Sequence, residues 1–354
     1  MAARAAVRAF GNVAPNPMVG AVIVKDGRVI GIGHHRRFGG LHAEREAIKN
    51  ARENGHDVSG SVVYCTLEPC CHHGKQPPCC EALIEAGVAE VVYARPDPAE
   101  VSGGGHAILE AAGIRCSCDS SSSNAVAMGE AFVKRVRTGL PWVVVKWAQT
   151  LDGKIATGSG ESQWISNERS RRWVHWLRAK IDAIGVGMGT VVADDPMLIA
   201  RGVRKVRRSA VRVVFDTHGR FPEDCKLAQS AGEYTTVVCT AAAGTIGVPG
   251  VKTLHCKMKD GRLDLESALR GLSSELGVSS ILIEAGPTLL GGLLDADLID
   301  EAVVHVAPAV MGDDSAKSCA SGRVCEQLSQ MKRFELNRTR MVDGDVHLFY
   351  RRGE

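Results

Sequence analysis

The chain has 354 residues, 45% hydrophobic and 23% charged, an ordinary globular composition with length enough for two domains. The formal charge is only +3, acidic and basic residues are mixed throughout, and aromatics make up 5%, so no basic groove with stacking platforms for nucleic acid is advertised. Apolar runs such as WVVV and ILI are strand-sized, which argues against a membrane span. The N-terminal MAARAAVRAFGNVAPNP lacks a long apolar core, so no secretory signal is expected and the chain is expected to be cytoplasmic.

In chain order, VGAVIVKDGRVIGIG predicts a hairpin turning at Lys25-Asp26-Gly27. HAEREAIKNARENG predicts a helix with Ala43, Ala47, Ile48 and Ala51 on one face and Gly55 as its stop. SVVYCTLE reads as a strand, PPCCEALIEAG as a short helix opened by prolines, AEVVYARPDP as a strand and GHAILEAAGI as a helix. CSCDSSSSN reads as a loop, and AVAMGEAFVKRVRTG as a helix. A fresh apolar strand opens at LPWVVVKWAQTLDGKIA, so a domain boundary is expected near Gly139–Pro141, giving domains 1–140 and 141–354. In the second, DAIGVGMG, VRVVFDT, TTVVCT, SSILIEAG and EAVVHVAPAV are strand-like, while NERSRRWVHWLRAKI, LESALRGLSSELG and GPTLLGGLLDADL are helix-like. Strand and helix alternate in both halves, which predicts α/β domains with helix-covered sheets.

Five of the twelve cysteines fall between Cys65 and Cys80. In a cytosolic chain such clustering points to metal or redox chemistry, and scattered thiols such as Cys225, Cys239, Cys256, Cys319 and Cys325 read as small buried hydrophobes. A catalytic zinc needs three protein ligands and one open position for water, with a carboxylate nearby to move the proton. His42 and Glu44 are two residues apart, so both reach one ion only around a helix start. Thiolates after Pro69 and after Pro77-Pro78 would also sit at helix starts, where the dipole favours negative charge. The spacing does not choose between Cys70 and Cys71, or between Cys79 and Cys80. A closed structural zinc site is the plainer alternative, but it gives Glu44 no role.

His-Ala-Glu followed by Pro-Cys and a later Cys is the signature of zinc-dependent nucleobase deaminases. Here eight residues separate Cys70 from Cys79, where Pro-Cys-x-x-Cys is usual. With PNPMVGAVIVKDG and GLHAE, the stretch EPCCHHGKQPPC resembles the deaminase of bacterial riboflavin biosynthesis. That resemblance implies a cytidine-deaminase-like three-layer domain, zinc on His42, Cys70 and Cys79, and Glu44 as the catalytic proton carrier. It further implies that Asn16, His72 and Lys75 contact substrate, and cations in such a loop suit a phosphorylated one. The chain departs from that family at RPDPAEVSGGG, from Arg95 to Gly105, where DPNP and VAGRG are usual, and at Cys71, where serine is common.

The second half has no G-x-G-x-x-G after its first strand. ILIEAGPTLLGGLL and GVGMGTVVADDPML are strand-turn-helix runs suited to a phosphate, although each alone reads equally as a tight turn. Together with KWAQTLDGKIA and SGESQWIS they resemble the reductase domain of the same bifunctional riboflavin proteins. This implies a dihydrofolate-reductase-like α/β fold that uses NADPH. Ala148, Trp164, Thr190, Asp194, Thr217 and the run Gly286, Pro287, Thr288, Leu289, Leu290, Gly291 and Gly292 would face the cofactor. Ser162, Arg178, Leu198, Arg201 and Glu284 would face the substrate, with the arginines as clamps on a ribose 5-phosphate. Trp173 and Trp176 are assigned to packing. The implied substrates are small phosphoribosylaminopyrimidines, with no nucleic-acid or membrane partner, and the implied assembly is a homo-oligomer built through the reductase domain. A deaminase of nucleic-acid bases, which would need a basic, aromatic surface near His42, is the rival enzyme. A non-enzymatic zinc scaffold without affinity for NADPH is the other alternative.

Overall fold

The structure is a computed structural model describing residues 1–204 and 206–353. It divides into two compact units between Leu140 and Pro141.

The first unit is built on a five-stranded sheet of order β2-β1-β3-β4-β5. Its strands are β1 (Gly20–Lys25), β2 (Arg28–His34), β3 (Val62–Cys65), β4 (Glu90–Tyr93) and β5 (Arg115–Cys118). β1 runs antiparallel to β2 and β3, whereas β3, β4 and β5 are parallel. Asp26 and Gly27 both take positive φ, 51° and 72°, which is the backbone a two-residue hairpin turn requires. The helices are α1 (Ala2–Ala6), α2 (Ala43–Glu53), α3 (Cys79–Glu85), α4 (Gly105–Ala111), α5 (Ser123–Ala127) and α6 (Glu130–Thr138). Two sequence expectations are corrected here. The Cys-Ser run holds an edge strand, β5, and the helix expected over 125–139 is two helices, α5 and α6, parted at Met128–Gly129.

α2 lies against β1 and β2 at backbone distance. Ala43, Ala47 and Ala51 repeat every four residues along its buried face. Opposite them, Gly31 and Gly33 share one face of β2. A Cβ on Gly33 would overlap the Ala43 carbonyl oxygen and the Ala47 nitrogen, and one on Gly31 would press on Ala47 and Ala51. Small residues on both surfaces therefore fix the height of α2 over the sheet.

The second unit holds a nine-stranded sheet of order β11-β10-β9-β8-β14-β6-β15-β18-β17. In chain order its elements are β6 (Trp142–Gln149), β7 (Lys154–Ala156), α7 (Glu168–Arg178), β8 (Ala183–Gly187), α8 (Met188–Asp194), β9 (Val211–Phe215), α9 (Lys226–Gln229), β10 (Thr236–Thr240) and β11 (Val251–His255). They continue with β12 (Met258–Lys259), β13 (Arg262–Leu263), α10 (Leu265–Leu276), β14 (Ser280–Ile283), α11 (Pro287–Asp295), β15 (Glu301–Val306), β16 (Lys317–Ser318), β17 (Phe334–Val342) and β18 (Asp345–Arg352). The strands from β11 across to β15 are parallel, and the β17–β18 hairpin adds antiparallel to β15. β7 pairs with β16, and β12 with β13, outside the large sheet. The central strands are apolar on both faces because helices cover both; Ile281, Leu282 and Ile283 of β14 are fully buried. In such sheets the crevice beyond the carboxyl ends of the strands is where ligands bind.

Candidate active sites

The His42 side chain enters the first site from the N-cap of α2, where the backbone is still extended (φ −73°, ψ 164°). Its Nδ1 lies 3.4 Å from the Sγ of Cys70 and 3.4 Å from the Sγ of Cys79. The three ligand atoms all lie within 4.8 Å of one another. Glu44, in the first turn of α2 and only 3% exposed, accepts from the Cys79 thiol at 3.3 Å. Cys79 opens α3, as expected, but Cys70 lies in irregular backbone rather than at a helix start. Its thiol is instead drawn down to about 4, first by a hydrogen bond from the Cys79 thiol and then by His42 and the Cys79 N–H, which donates at 3.4 Å. Burial pushes the Glu44 carboxyl up, as a group that carries protons near neutral pH needs.

The cysteines next to the cluster face away from it. The Cys71 thiol donates to the Gly103 carbonyl at 2.8 Å, and the Cys80 thiol points at the carbonyls of Pro69 and Gly105. Side-chain direction thus groups Cys70 and Cys79, rather than their neighbours, with His42. The segment that departs from the family pattern forms the wall behind the ligand loop. Glu68 accepts from the N–H groups of Asp97 and His106 at 3.0 and 2.9 Å, and the Asp97 carboxylate accepts from Ser102 Oγ at 2.7 Å. Asn16 Nδ2 lies 3.2 Å from His35 Nε2, and the His35 ring stands edge-on to His42 at 5.3 Å. His72 and Lys75 occupy the loop between Cys70 and Cys79. The Lys75 Nζ lies 4.0 Å from the centroid of the Phe38 ring.

One imidazole nitrogen and two thiols fit zinc. Bonds of about 2.0–2.3 Å at tetrahedral angles put neighbouring ligand atoms roughly 3.5 Å apart, close to the separations seen. Three ligands also leave the fourth position open. Because α2 sets the place of His42 and Glu44, Gly33→Ala is expected to destabilise this unit by about 1–3 kcal/mol and to lower its zinc content. Metal-to-protein ratio and thermal melting check this; an unchanged ratio would show that the helix tolerates the shift.

The second unit contains a cavity of about 1370 Å³ at the carboxyl ends of its parallel strands. Fourteen sequence-derived candidates line it: Ala148, Ser162, Trp164, Arg178, Thr190, Asp194, Arg201, Thr217, Glu284, Gly286, Pro287, Thr288, Leu289 and Gly292. Three do not. Leu198 is 2% exposed and packs in the hydrophobic core. Leu290 turns inward from α11 and is 1% exposed, and Gly291 is packed against the backbone of Ser321.

Arg178 grips Glu284 with two hydrogen bonds, 2.6 Å from Nε and 2.7 Å from the terminal nitrogen, and also donates to the Ile199 carbonyl. Burial opposes the Glu284 charge, but Arg178 outweighs it, aided by Lys146, and the carboxyl titrates below its usual range. The expected phosphate clamp is therefore already engaged with a carboxylate. Cavity-lining cations that sequence reasoning missed include Lys146, on β6, and Lys259 and Arg262, on the β12–β13 hairpin. Burial pulls the Lys146 ammonium down, with Glu284 opposing. Thr217 ties that hairpin to the end of β9, its hydroxyl accepting from Leu263 N at 3.2 Å. Trp164 is 67% exposed at the mouth, with the Arg171 guanidinium 4.6 Å over its ring. Trp173 packs against the core as expected, but Trp176 is 43% exposed beneath Lys180. Of the thiols expected to be buried, Cys325 is exposed.

Residues 141–348 match the family model described as RibD C-terminal domain, and residues 1–95 match the cytidine and deoxycytidylate deaminase zinc-binding region. The chain is 40% identical to the riboflavin biosynthesis protein RibD of Escherichia coli K12, over 94% of this chain and 93% of that protein. It is 38% identical to the RibD protein of Actinobacillus pleuropneumoniae, over 98% and 92%. The chain belongs to the RibD family. RibD proteins are bifunctional enzymes of riboflavin biosynthesis, with a zinc-binding deaminase domain and a reductase domain. Two solved RibD-like structures superpose over almost the whole chain. Acinetobacter baumannii RibD, form 1, is 36% identical with a TM-score of 0.87, covering 100% of this chain and 97% of that one. A diaminohydroxyphosphoribosylaminopyrimidine deaminase/5-amino-6-(5-phosphoribosylamino)uracil reductase of Thermotoga maritima is 35% identical with a TM-score of 0.88, covering 99% and 97%. Among the described residues, no helix is long and apolar enough to cross a membrane.

Proposed function

We propose that residues 1–140 deaminate 2,5-diamino-6-(5-phosphoribosylamino)pyrimidin-4(3H)-one and that residues 141–354 reduce the deaminated product to 5-amino-6-(5-phosphoribitylamino)uracil. The observation that carries this reading is the meeting of His42, Cys70 and Cys79 beside the buried Glu44, in a chain whose second unit opens a dinucleotide-sized cavity. The cofactors are zinc and NADPH.

His42, Cys70 and Cys79 hold the metal, which supplies a Lewis acid that makes water nucleophilic near neutral pH. Glu44 takes the proton lost by the attacking water and delivers it to the departing amino nitrogen, so that ammonia leaves. Its burial excludes bulk water as a competing proton source. Asn16, His72 and Lys75 hold the substrate, with Lys75 on the phosphate.

In the reductase half the nicotinamide cofactor supplies the hydride and the protein orients it. Gly286 and Thr288, at the start of α11, offer backbone N–H groups to its phosphates, while Pro287, which has none, fixes the first turn of the helix. Ala148, Trp164, Thr190, Asp194 and Thr217 line the remainder of its path. Opening and reducing the ribosyl group takes one hydride and one proton. Lys146, half-buried next to the Arg178–Glu284 pair, is the cavity acid that would donate that proton. Arg201 and Ser162 complete the substrate end. The protein acts in the cytoplasm as a homo-oligomer joined through its reductase domain, which sedimentation of the isolated halves would test.

The deciding assay follows ammonia release without NADPH, then NADPH oxidation once it is added, before and after removal of zinc with a chelator. Chelation is expected to stop ammonia release and to leave reduction of supplied deaminated substrate intact. A zinc-loaded protein that releases no ammonia from this pyrimidine would refute the reading of the first half.

A further inference from the structure

We propose that Phe38 is a positioning residue of the deaminase half: its ring holds Lys75 ready for the phosphate of the substrate. This rests on the reading of Lys75 as a phosphate contact.

Phe38 is out of keeping with its surroundings. It lies in the loop between β2 and α2, flanked by Arg37 and two glycines, and is 44% exposed, so core packing does not explain it. The ring instead carries the Lys75 ammonium on its face, 4.0 Å from the centroid. The negative face of an aromatic ring attracts a cation at that range. Among the described residues no carboxylate lies within ion-pair distance of Lys75, so the ring stabilises the charge without neutralising it. A carboxylate in the same place would compete with an incoming phosphate, whereas a ring leaves the charge available.

Side-chain bonds to backbone carbonyls also fasten the lysine's loop, to the Phe38 loop through Gln76 and to α2 through Arg45. Gln76 Nε2 donates to the Gly39 carbonyl at 3.0 Å, and Arg45 donates to the carbonyls of Pro77 and Pro78 at 3.2 and 2.8 Å. Phe38 N donates to the Asn12 carbonyl at 3.2 Å, and Asn12 Nδ2 donates to the Arg36 carbonyl at 2.9 Å. The ring is thus held by the segment that leads to Asn16, and the lysine by the loop that joins Cys70 to Cys79. A long flexible cation that is already in place loses less rotamer freedom when the anion arrives.

The test measures deaminase kinetics on the full-length, zinc-loaded enzyme with the phosphorylated pyrimidine and with its dephosphorylated form. Phe38→Leu is expected to raise KM for the phosphorylated substrate about two- to fivefold, the effect of an exposed cation–π contact, while kcat changes by less than about twofold. KM for the dephosphorylated form should not move. Phe38→Tyr should restore the native value. Phe38→Leu combined with Lys75→Ala should be no worse than Lys75→Ala alone. Equal KM increases for both substrates, or full additivity with Lys75→Ala, would overturn the proposal while leaving the role of Lys75 intact. If Lys75→Ala itself leaves the preference for the phosphorylated form unchanged, the underlying reading of Lys75 fails instead.

Discussion

Glu44→Gln is expected to reduce ammonia release by about 10²–10⁴-fold, the range for loss of a general acid–base group, while zinc stays bound and supplied deaminated substrate is still reduced by NADPH. Gln has the shape of Glu and can still accept from the Cys79 thiol, which in the native protein donates to Glu44 Oε2 at 3.3 Å. It cannot take up a proton. Glu44 is not one of the three convergent ligand atoms, so the metal cluster survives the change. The measurement is ammonia release at saturating substrate beside the zinc-to-protein ratio. Near-native turnover with full zinc would remove Glu44 from the reaction. Loss of zinc along with activity would make its role structural, so a second variant, Glu44→Asp, separates the cases. It keeps the carboxyl and should retain more turnover than Gln.

Arg178→Met should be the most damaging single change in the reductase half. It strands the Glu284 carboxylate, whose side chain is 20% exposed against 14% for Arg178. Removing one partner of a fully buried pair costs about 3–5 kcal/mol; partial exposure here lowers the expectation to about 2–3 kcal/mol. Reduction should be lost and ammonia release retained. The Glu284 carboxyl titrates below its usual range, so the pair contributes in full at neutral pH and fades only as pH falls through that depressed value. The stability gap between native and variant protein should therefore be widest near neutrality and close in acid. Adding Glu284→Leu should recover stability without recovering reduction, because two matched apolar groups remove the stranded charge but do not restore the polar pair that the cavity uses. Recovery of both would show that the pair serves packing alone. Denaturant melts at two pH values and NADPH oxidation check each part.

The elements visible in the sequence were those that bury an apolar face. α2 shows its Ala43, Ala47, Ile48, Ala51 pattern openly, and all four residues are buried. What stayed hidden was mostly polar and exposed. The Asp-Gly turn that marks the first hairpin recurs at Asp260-Gly261 and Asp343-Gly344, again with positive φ at both residues. The hairpins there escaped notice because the flanking strands carry little hydrophobic signal; β12 is exposed, and seven of the nine residues of β17 are exposed. β5 was hidden for the same reason, as a short edge strand among cysteines and serines. At the first site the ligand types were legible, but not which of two adjacent cysteines faces the ion, because that depends on where α3 begins. At the second, Lys146 went unremarked within WVVVKWAQ. A lysine in an apolar strand ordinarily points to water, and only the tertiary fold shows it facing a cavity. Leu290 and Gly291 were carried into the cofactor loop by contiguity, yet each step along α11 turns the direction by about 100°; the Leu290 side chain points inward and the Gly291 backbone packs on Ser321.

The eight residues between Cys70 and Cys79 are tethered at both ends by thiols that converge on His42. An ion bound there closes a short ring in the chain, and His72 and Lys75 ride on that ring. Demetallated molecules therefore lose one clasp of the ring together with the electrophile, and the Gln76 and Arg45 bonds are left to hold the loop. They should bind the pyrimidine poorly rather than hold it unproductively. In a cell short of zinc, the apo fraction would act as a silent reserve that leaves the substrate pool free for the loaded molecules, and activity would scale with occupancy without self-inhibition.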